Sequence, residues 1–405
     1  MTGPIVPPAI IGMLGGGQLG KYALMAAGSM GYRSIVLDPD PSAPAAVHAN
    51  HHIVAAYDDP AALEQLSNQC DVITTEFENP PAEALATLAA ATSVAPGPAS
   101  VAIAQDRIRE KSFLVDNGFP VGPFAAIDGS DPQWATASST SLGRQSGDWG
   151  IAEIVAGGAV VKTARLGYDG KGQRRVGNLS ELQAAVTDLG VRCVAESLLD
   201  LRCELSVLVA RTADTRVETW PVAENLHVDG ILDVSVVPAR VDPALADRAT
   251  ALAISIAEAM DYVGVLAVEM FIVADENGED QILINELAPR PHNSGHWTLD
   301  ASVTSQFEQQ IRAVCGAGLA DTSMTAPAVA MVNLLGDLWF SDQPVGEPTE
   351  PLWARVLDDP AATLHLYGKS EPRPGRKMGH VTVTASNPDL AESQARQLRA
   401  DLVDH

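Results

Sequence analysis

The sequence predicts a multidomain protein of mixed α/β and α+β class that opens on a parallel sheet flanked by helices. Three observations carry this. Apolar strand-like runs alternate with helical stretches through about the first hundred residues, the pattern of βαβ units. From about residue 105 the alternation gives way to a series of strands. At 405 residues, and about 150 residues to a domain, two to four domains are expected.

In chain order, the run 9–14 ends in glycines and leads into a helix over about 18–30. The run 34–37 ends at Asp38, and a strand at 52–56 precedes a helix at 60–66. The run 71–75 leads into Glu76, and an Ala-rich helix starts at Pro81. A helix over 106–117 follows, then a Ser-rich stretch near 136–148 that reads as a surface loop. Strands are expected at 159–163, 173–176, 191–196, 204–210, 217–222 and 231–237. A helix after Pro243 reaches about Met260, and a strand pair spans 264–273 and 281–286. The last seventy or so residues read as short strands and turns, a small β appendage.

Composition excludes several functions. With 46% hydrophobic and 19% charged residues, a core can be buried and wholesale disorder is excluded. The 26 Lys and Arg face 51 Asp and Glu, a net charge of −25, and a field of that sign repels nucleic acid and anionic lipid. Cys70, Cys193, Cys203 and Cys315 show no ligand-like spacing, so neither disulfides nor structural zinc are expected and a reducing cytoplasm fits. The N-terminus lacks a basic region before its apolar run, and no run of about eighteen apolar residues occurs, so no signal peptide or membrane helix is expected.

Gly15–Gly20, GGGQLG, satisfies G-x-G-x-x-G between a strand and a helix. Such a loop offers backbone amides and a helix N-terminus to a phosphate. Asp38 lies where a dinucleotide fold places its ribose acid, so an NAD-dependent dehydrogenase competes at this point. A second glycine loop, in VVKTARLGYDGKGQRRV, follows a strand that carries Lys162. A strand, glycine loop and strand can cover nucleotide phosphates while the lysine neutralises their oxygens.

Asn277-Gly278 predicts a two-residue hairpin turn. Counting outward from it pairs Glu269 with Glu286, and two opposed carboxylates favour a bridging dication such as magnesium. Asn285 could add an oxygen. Arg290, His292, Asn293, Ser294 and His296 crowd one loop that suits anion or substrate contact, and Lys369, Arg373, Arg376, Lys377 and His380 concentrate positive charge further on. No nucleophile elbow is present.

Together GGGQLG, EFENP, QDRxxxK, KTARLGYDGKGQ, VAENLHVDGIL, NELAPRPHNSGHWT, LHLYGK and RPGRKMGH resemble the N5-carboxyaminoimidazole ribonucleotide synthases, ATP-grasp enzymes of purine biosynthesis, in order along nearly the whole chain. The resemblance implies a Rossmann-like domain over 1–104, an ATP-grasp domain over 105–335 with a glycine-loop lid near 122–190, and a small C-terminal domain over 336–405. It implies ATP-driven carboxylation of 5-aminoimidazole ribonucleotide by bicarbonate through carboxyphosphate. Arg107, Lys162, Gly167, Tyr168, Asp169, Gly170, Lys171, Gly172 and Gln173 would then meet ATP phosphates. Glu196, Ser197, Leu198 and Leu199 would line the adenine, with Glu204 on the ribose, His227 nearby and Asn285 beside the metal. Glu269 and Glu286 would hold magnesium, or manganese in its place. Gly17, Gln18, Leu19, Glu76, Tyr168, Asp169, Arg290, His292, Asn293, Ser294, Lys369 and Arg376 would bind the ribonucleotide, with Lys162, Tyr168, Asp169 and Arg290 serving the chemistry. A cytoplasmic homodimer is implied, with small-molecule substrates and neither nucleic acid nor membrane as partner. The competing readings are another ATP-grasp ligase that activates formate or a carboxylate, the dehydrogenase, and a catalytically silent regulator.

Overall fold

The computed structural model describes residues 3–129, 149–167, 172–340 and 347–403. The Ser-rich stretch and Tyr168, Asp169, Gly170 and Lys171 lie outside them. The chain divides into two compact units. The first comprises residues 1–98, 205–267 and 288–405, and the second comprises 99–204 and 268–287.

The first unit begins with a five-stranded parallel sheet in the order His51–Ile53, Arg33–Leu37, Ile10–Leu14, Val72–Thr75, Ser93–Val94. Helices Gln18–Ser29, Pro60–Gln69 and Ala82–Ala91 connect its strands. Asp59 caps the second helix by accepting from Ala62 N at 2.9 Å, with Pro60 at its first position. A second sheet of this unit runs in the order 205–211, Ala223–Val228, Ile231–Val237, Ala328–Leu335, Lys377–Ala385, Ala362–Leu366. The second unit holds a four-stranded antiparallel sheet in the order Phe124–Asp128, Arg192–Ser197, Ala159–Thr163, Gln173–Val176. Its core comprises Ile127, Ile154, Val161, Leu182, Val186 and Ala195.

The structure departs from the sequence reading in several places. Strand Ala223–Val228, antiparallel to Ile231–Val237, was not anticipated, nor were helices Leu179–Leu189 and Gln306–Val314. The C-terminal residues carry a nine-residue strand, Lys377–Ala385, and a helix, Pro388–Ala400. Asn387 caps that helix on Leu390 N at 2.9 Å, and its buried stripe of Ala391 and Ala395 is too thin to stand out in the sequence. Finally, the hairpin closes differently. Asp275 N donates to Glu279 O at 2.8 Å, and the Asp275 carboxylate accepts from Asn277 N and Glu279 N. The loop is therefore three residues, Glu276, Asn277 and Gly278, with Gly278 at φ +82. Counted outward from that pair in a regular ladder, Asn285 falls opposite Glu269, so direct opposition of Glu269 and Glu286 does not follow from the turn.

Candidate active site

In the second unit, helix Arg107–Asp116 opens at Asp106, whose side chain accepts from Ile108 N and Arg109 N at 3.1 and 3.3 Å. Its buried stripe is Arg107, Glu110, Lys111 and Leu114, at helical spacing. Three of these four are ionisable, and charges placed at core positions must be paired.

They are. Arg107 Nη1 donates to Glu286 Oε2 at 2.7 Å, and Nη2 donates to Gly167 O at 3.2 Å. Lys111 Nζ donates to Asn285 O at 2.9 Å and to Ile284 O at 3.3 Å. Leu287 N donates to Glu110 Oε2 at 3.1 Å. Glu110 and Lys111 thus hold the backbone on both sides of Glu286. The sequence reading gave neither residue a role, although their place on the helix's inner face was visible. Burial, with Glu286 beside it, pushes the Glu110 carboxyl up, against Lys111 and Arg107.

Lys162 and Glu196 come from neighbouring strands, Val160 being the residue opposite Glu196. Lys162 Nζ donates to Glu196 at 3.2 Å, and Lys111 Nζ lies 3.6 Å from it. Burial raises the Glu196 carboxyl, but Lys111, Lys162 and Arg107 outweigh it and hold the group at about 2. Ser197 N is bonded to Pro123 O and Leu198 N to Gly158 O, while the Leu198 side chain is exposed. Gly172 O accepts from Thr163 N, which holds the base of the glycine loop. Asn285 Oδ1 is buried without a hydrogen-bond partner. Glu286 and, on the facing strand, Glu269 carry carboxylate oxygens, the donors that hard dications take.

The first unit holds the remaining predicted residues. Here the first glycine loop differs from the expectation. Gly16 N donates to Asp38 Oδ2 at 2.6 Å, Gly17 N to Glu76 Oε1 at 2.8 Å and Gly20 N to Glu76 Oε2 at 3.1 Å. The amides read as a phosphate cradle are occupied by the chain's own carboxylates. Burial raises the Glu76 carboxyl, while Gly20, Gly17 and Arg290 pull it down. Asp38 also accepts from Tyr57 Oη at 2.7 Å, so its role is to brace the loop. Gln18 Oε1 accepts from Lys369 Nζ at 2.6 Å, and Leu19 is buried in the core behind it.

Arg290 Nε donates to Glu78 at 2.6 Å. Gln306 clamps His292, accepting from its backbone N at 2.8 Å and donating to its backbone O at 2.7 Å. Asn293 and Asn333 exchange amide hydrogen bonds at 3.0 and 2.8 Å, and Ser294 Oγ accepts from Ser206 Oγ at 2.8 Å. Asn293 and Ser294 are buried, so they fix the loop. Arg376 Nη1 donates to Glu371 O at 2.7 Å. The described residues expected to meet ATP lie in the second unit, His227 excepted. The described residues expected to meet the ribonucleotide lie in the first.

Behind this loop His296 and His380 are fully buried with ring centroids 4.8 Å apart, each with an unpartnered Nε2. Burial holds the imidazolium pKa of His292, His296 and His380 well below the usual 6.5. The unfolded chain therefore takes up protons first. Stability is full above about pH 6.5 and falls as pH drops below it. Thermal unfolding followed from pH 8 to 5 is expected to show a flat Tm above 7 and a decline below 6.5, shallower in His380→Phe. An equal decline in that variant would exclude His380 as a source.

A buried strand lysine, an arginine, a glycine loop and an acidic oxygen donor set define a nucleotide-dependent ligase of the ATP-grasp class. Family models agree: a ribonucleotide synthetase preATP-grasp domain matches residues 9–105, an ATP-grasp domain 131–307, and a phosphoribosylaminoimidazole carboxylase C-terminal domain 329–394. The chain is 43% identical over 379 residues to the N5-carboxyaminoimidazole ribonucleotide synthase of Brucella melitensis, covering 93% of this chain and 96% of that one. It is 41% identical over 380 residues to that of Bacillus subtilis, covering 93% and 92%. Among solved structures, an ADP complex of an N5-carboxyaminoimidazole ribonucleotide synthetase superposes with a TM-score of 0.85 at 38% identity, over 98% of both chains. The Aspergillus clavatus synthase with ADP and 5-aminoimidazole ribonucleotide gives 0.81 at 28% identity, over 97% of this chain and 98% of that one. The chain belongs to the N5-carboxyaminoimidazole ribonucleotide synthase family.

Proposed function

We propose that this enzyme carboxylates the exocyclic amine of 5-aminoimidazole ribonucleotide with bicarbonate, consuming ATP and releasing ADP and phosphate, in purine biosynthesis. The observation that carries the residue assignment is the charged inner face of helix Arg107–Asp116, joined to Glu286, Asn285 and Glu196. A bicarbonate oxygen attacks the γ-phosphorus, the bond to the β-phosphate oxygen breaks, and carboxyphosphate and ADP form. The ribonucleotide amine then takes the carboxyl group, phosphate leaves and the amine loses a proton. Phosphoryl transfer needs positioning and charge neutralisation more than a nucleophile. Lys162 and Arg107 supply fixed positive charge to the phosphates. Glu269 and Glu286 would hold magnesium, which when bound would neutralise phosphate charge. Lys369, Arg376 and the clamped loop of Arg290 and His292 hold the ribonucleotide, with Glu76 fixed beside Gln18. Asp169, next to Tyr168, takes or orients the amine proton.

Among the described residues no helix is long and apolar enough to cross a membrane, and no disulfide joins the four cysteines; a cytoplasmic homodimer is what the family resemblance implies. The test is ADP release with MgATP and bicarbonate. Strong stimulation by the ribonucleotide is expected. ADP release that requires formate or an amino acid in place of bicarbonate would transfer the protein to another ligase of the class.

A further inference from the structure

Arg107 is shared between two partners that differ in their access to solvent. Its own side chain is 11% exposed, whereas that of Glu286 is 39% exposed. A dication can therefore approach Glu286 from solvent while the guanidinium sits on the protein side. Arg107 also donates to Gly167 O at 3.2 Å, and Glu110 and Glu196 lie within its electrostatic reach. Losing Glu286 would not strand it as an uncompensated buried cation. The strand beneath is fixed: Lys111 holds the Ile284 and Asn285 carbonyls and Glu110 holds Leu287 N. Exchange at Glu286 thus needs only side-chain movement.

We infer that Arg107 stands in for the metal. In the nucleotide-free protein it neutralises Glu286, and arrival of the dication together with the nucleotide transfers Arg107 from that carboxylate to the phosphates. The inference rests on the reading of Glu286 as a metal ligand and adds a competition within it. One carboxylate cannot serve the guanidinium at 2.7 Å and a dication at full strength together, so metal without nucleotide binds weakly. Nucleotide recruits metal by removing the competitor. By linkage, metal recruits nucleotide by the same factor.

Mn2+ titrated into nucleotide-free protein, with free metal read by electron paramagnetic resonance, tests this without relying on turnover. Arg107→Met is expected to bind Mn2+ about tenfold more tightly than the wild type, the order expected for removing a unit charge beside a ligand at a partly solvated site. Lys162→Met removes a neighbouring cation that pairs with Glu196, and is expected to change Mn2+ affinity by less than about threefold. Equal tightening in both variants would trace the effect to general charge and overturn the exchange. So would unchanged affinity in Arg107→Met. Absence of Mn2+ binding in Arg107→Met, while the wild type still releases ADP, would overturn the ligand assignment itself. If Arg107→Met does not fold, ADP binding in EDTA decides. Glu286→Gln is expected to bind metal-free ADP several-fold more tightly because Arg107 is released, and an unchanged affinity sinks the idea. Where the double variant folds, Arg107→Met must cancel that gain.

Discussion

Glu286→Gln is expected to lower ribonucleotide-stimulated ADP release by about a thousandfold, the scale seen when a preorganised charge contact to a transition state is removed. The substitution keeps size and hydrogen-bonding capacity but removes the charge. It leaves Arg107 with Gly167 O and leaves the backbone clamp of Glu110 and Lys111 intact. Circular dichroism and Tm should therefore match the wild type. A loss in rate accompanied by an equal fall in stability would reassign Glu286 to structure, and retention of more than about a tenth of the rate would remove it from the reaction.

Glu196→Gln is expected to destabilise the second unit by about 3–5 kcal/mol, the cost of leaving a buried ion network short of one partner. Lys111 and Lys162 both point at this carboxylate and are themselves largely buried. Urea unfolding followed by hydrogen exchange in strands Ala159–Thr163 and Arg192–Ser197 would report it. Glu196→Gln combined with Lys162→Met should recover part of the loss, and a midpoint unchanged in the single variant would contradict the network. Because the folded carboxyl is held at about 2 against the usual 4.5, its contribution is present above about pH 4.5 and is lost as pH falls towards 2.

Much of this was legible from pattern. Strands Ala159–Thr163, Gln173–Val176 and Ile231–Val237 fall where the apolar runs placed them. Helix Gln306–Val314 was not legible, and for a physical reason. Its buried face includes Gln306, Gln309 and Gln310. Gln306 bonds the backbone at His292, Gln309 at Ala320 and Gln310 at Val265. Polar residues that serve as backbone partners look like a solvent face in a hydropathy pattern. Helix Leu179–Leu189 did carry a signal: Asn178 accepts from Glu181 N, and Glu181 returns to Gly177 N, close to a capping box. Glu110 and Lys111 were hidden by habit of reading, since a charged residue on a helix is usually a surface one.

The hairpin shows the limit of counting. Asn277-Gly278 is a strong two-residue signal, yet Asp275 outcompetes it by accepting two backbone amides and drawing the turn out by one residue. In a strand a one-residue slip reverses every face. The metal assignment therefore rests on the oxygen chemistry of Glu269 and Glu286 and not on that arithmetic.

The carboxylates that fill the N-terminal glycine loop have a consequence in the crowded metabolite pool of a cell. An open loop of this type would greet any passing phosphoanhydride, and adenine nucleotides and dinucleotides are abundant there. With Asp38 and Glu76 already seated on its amides, the loop is deaf to them. A competing phosphate would have to displace two internal carboxylates, one of them buried, to reach those amides.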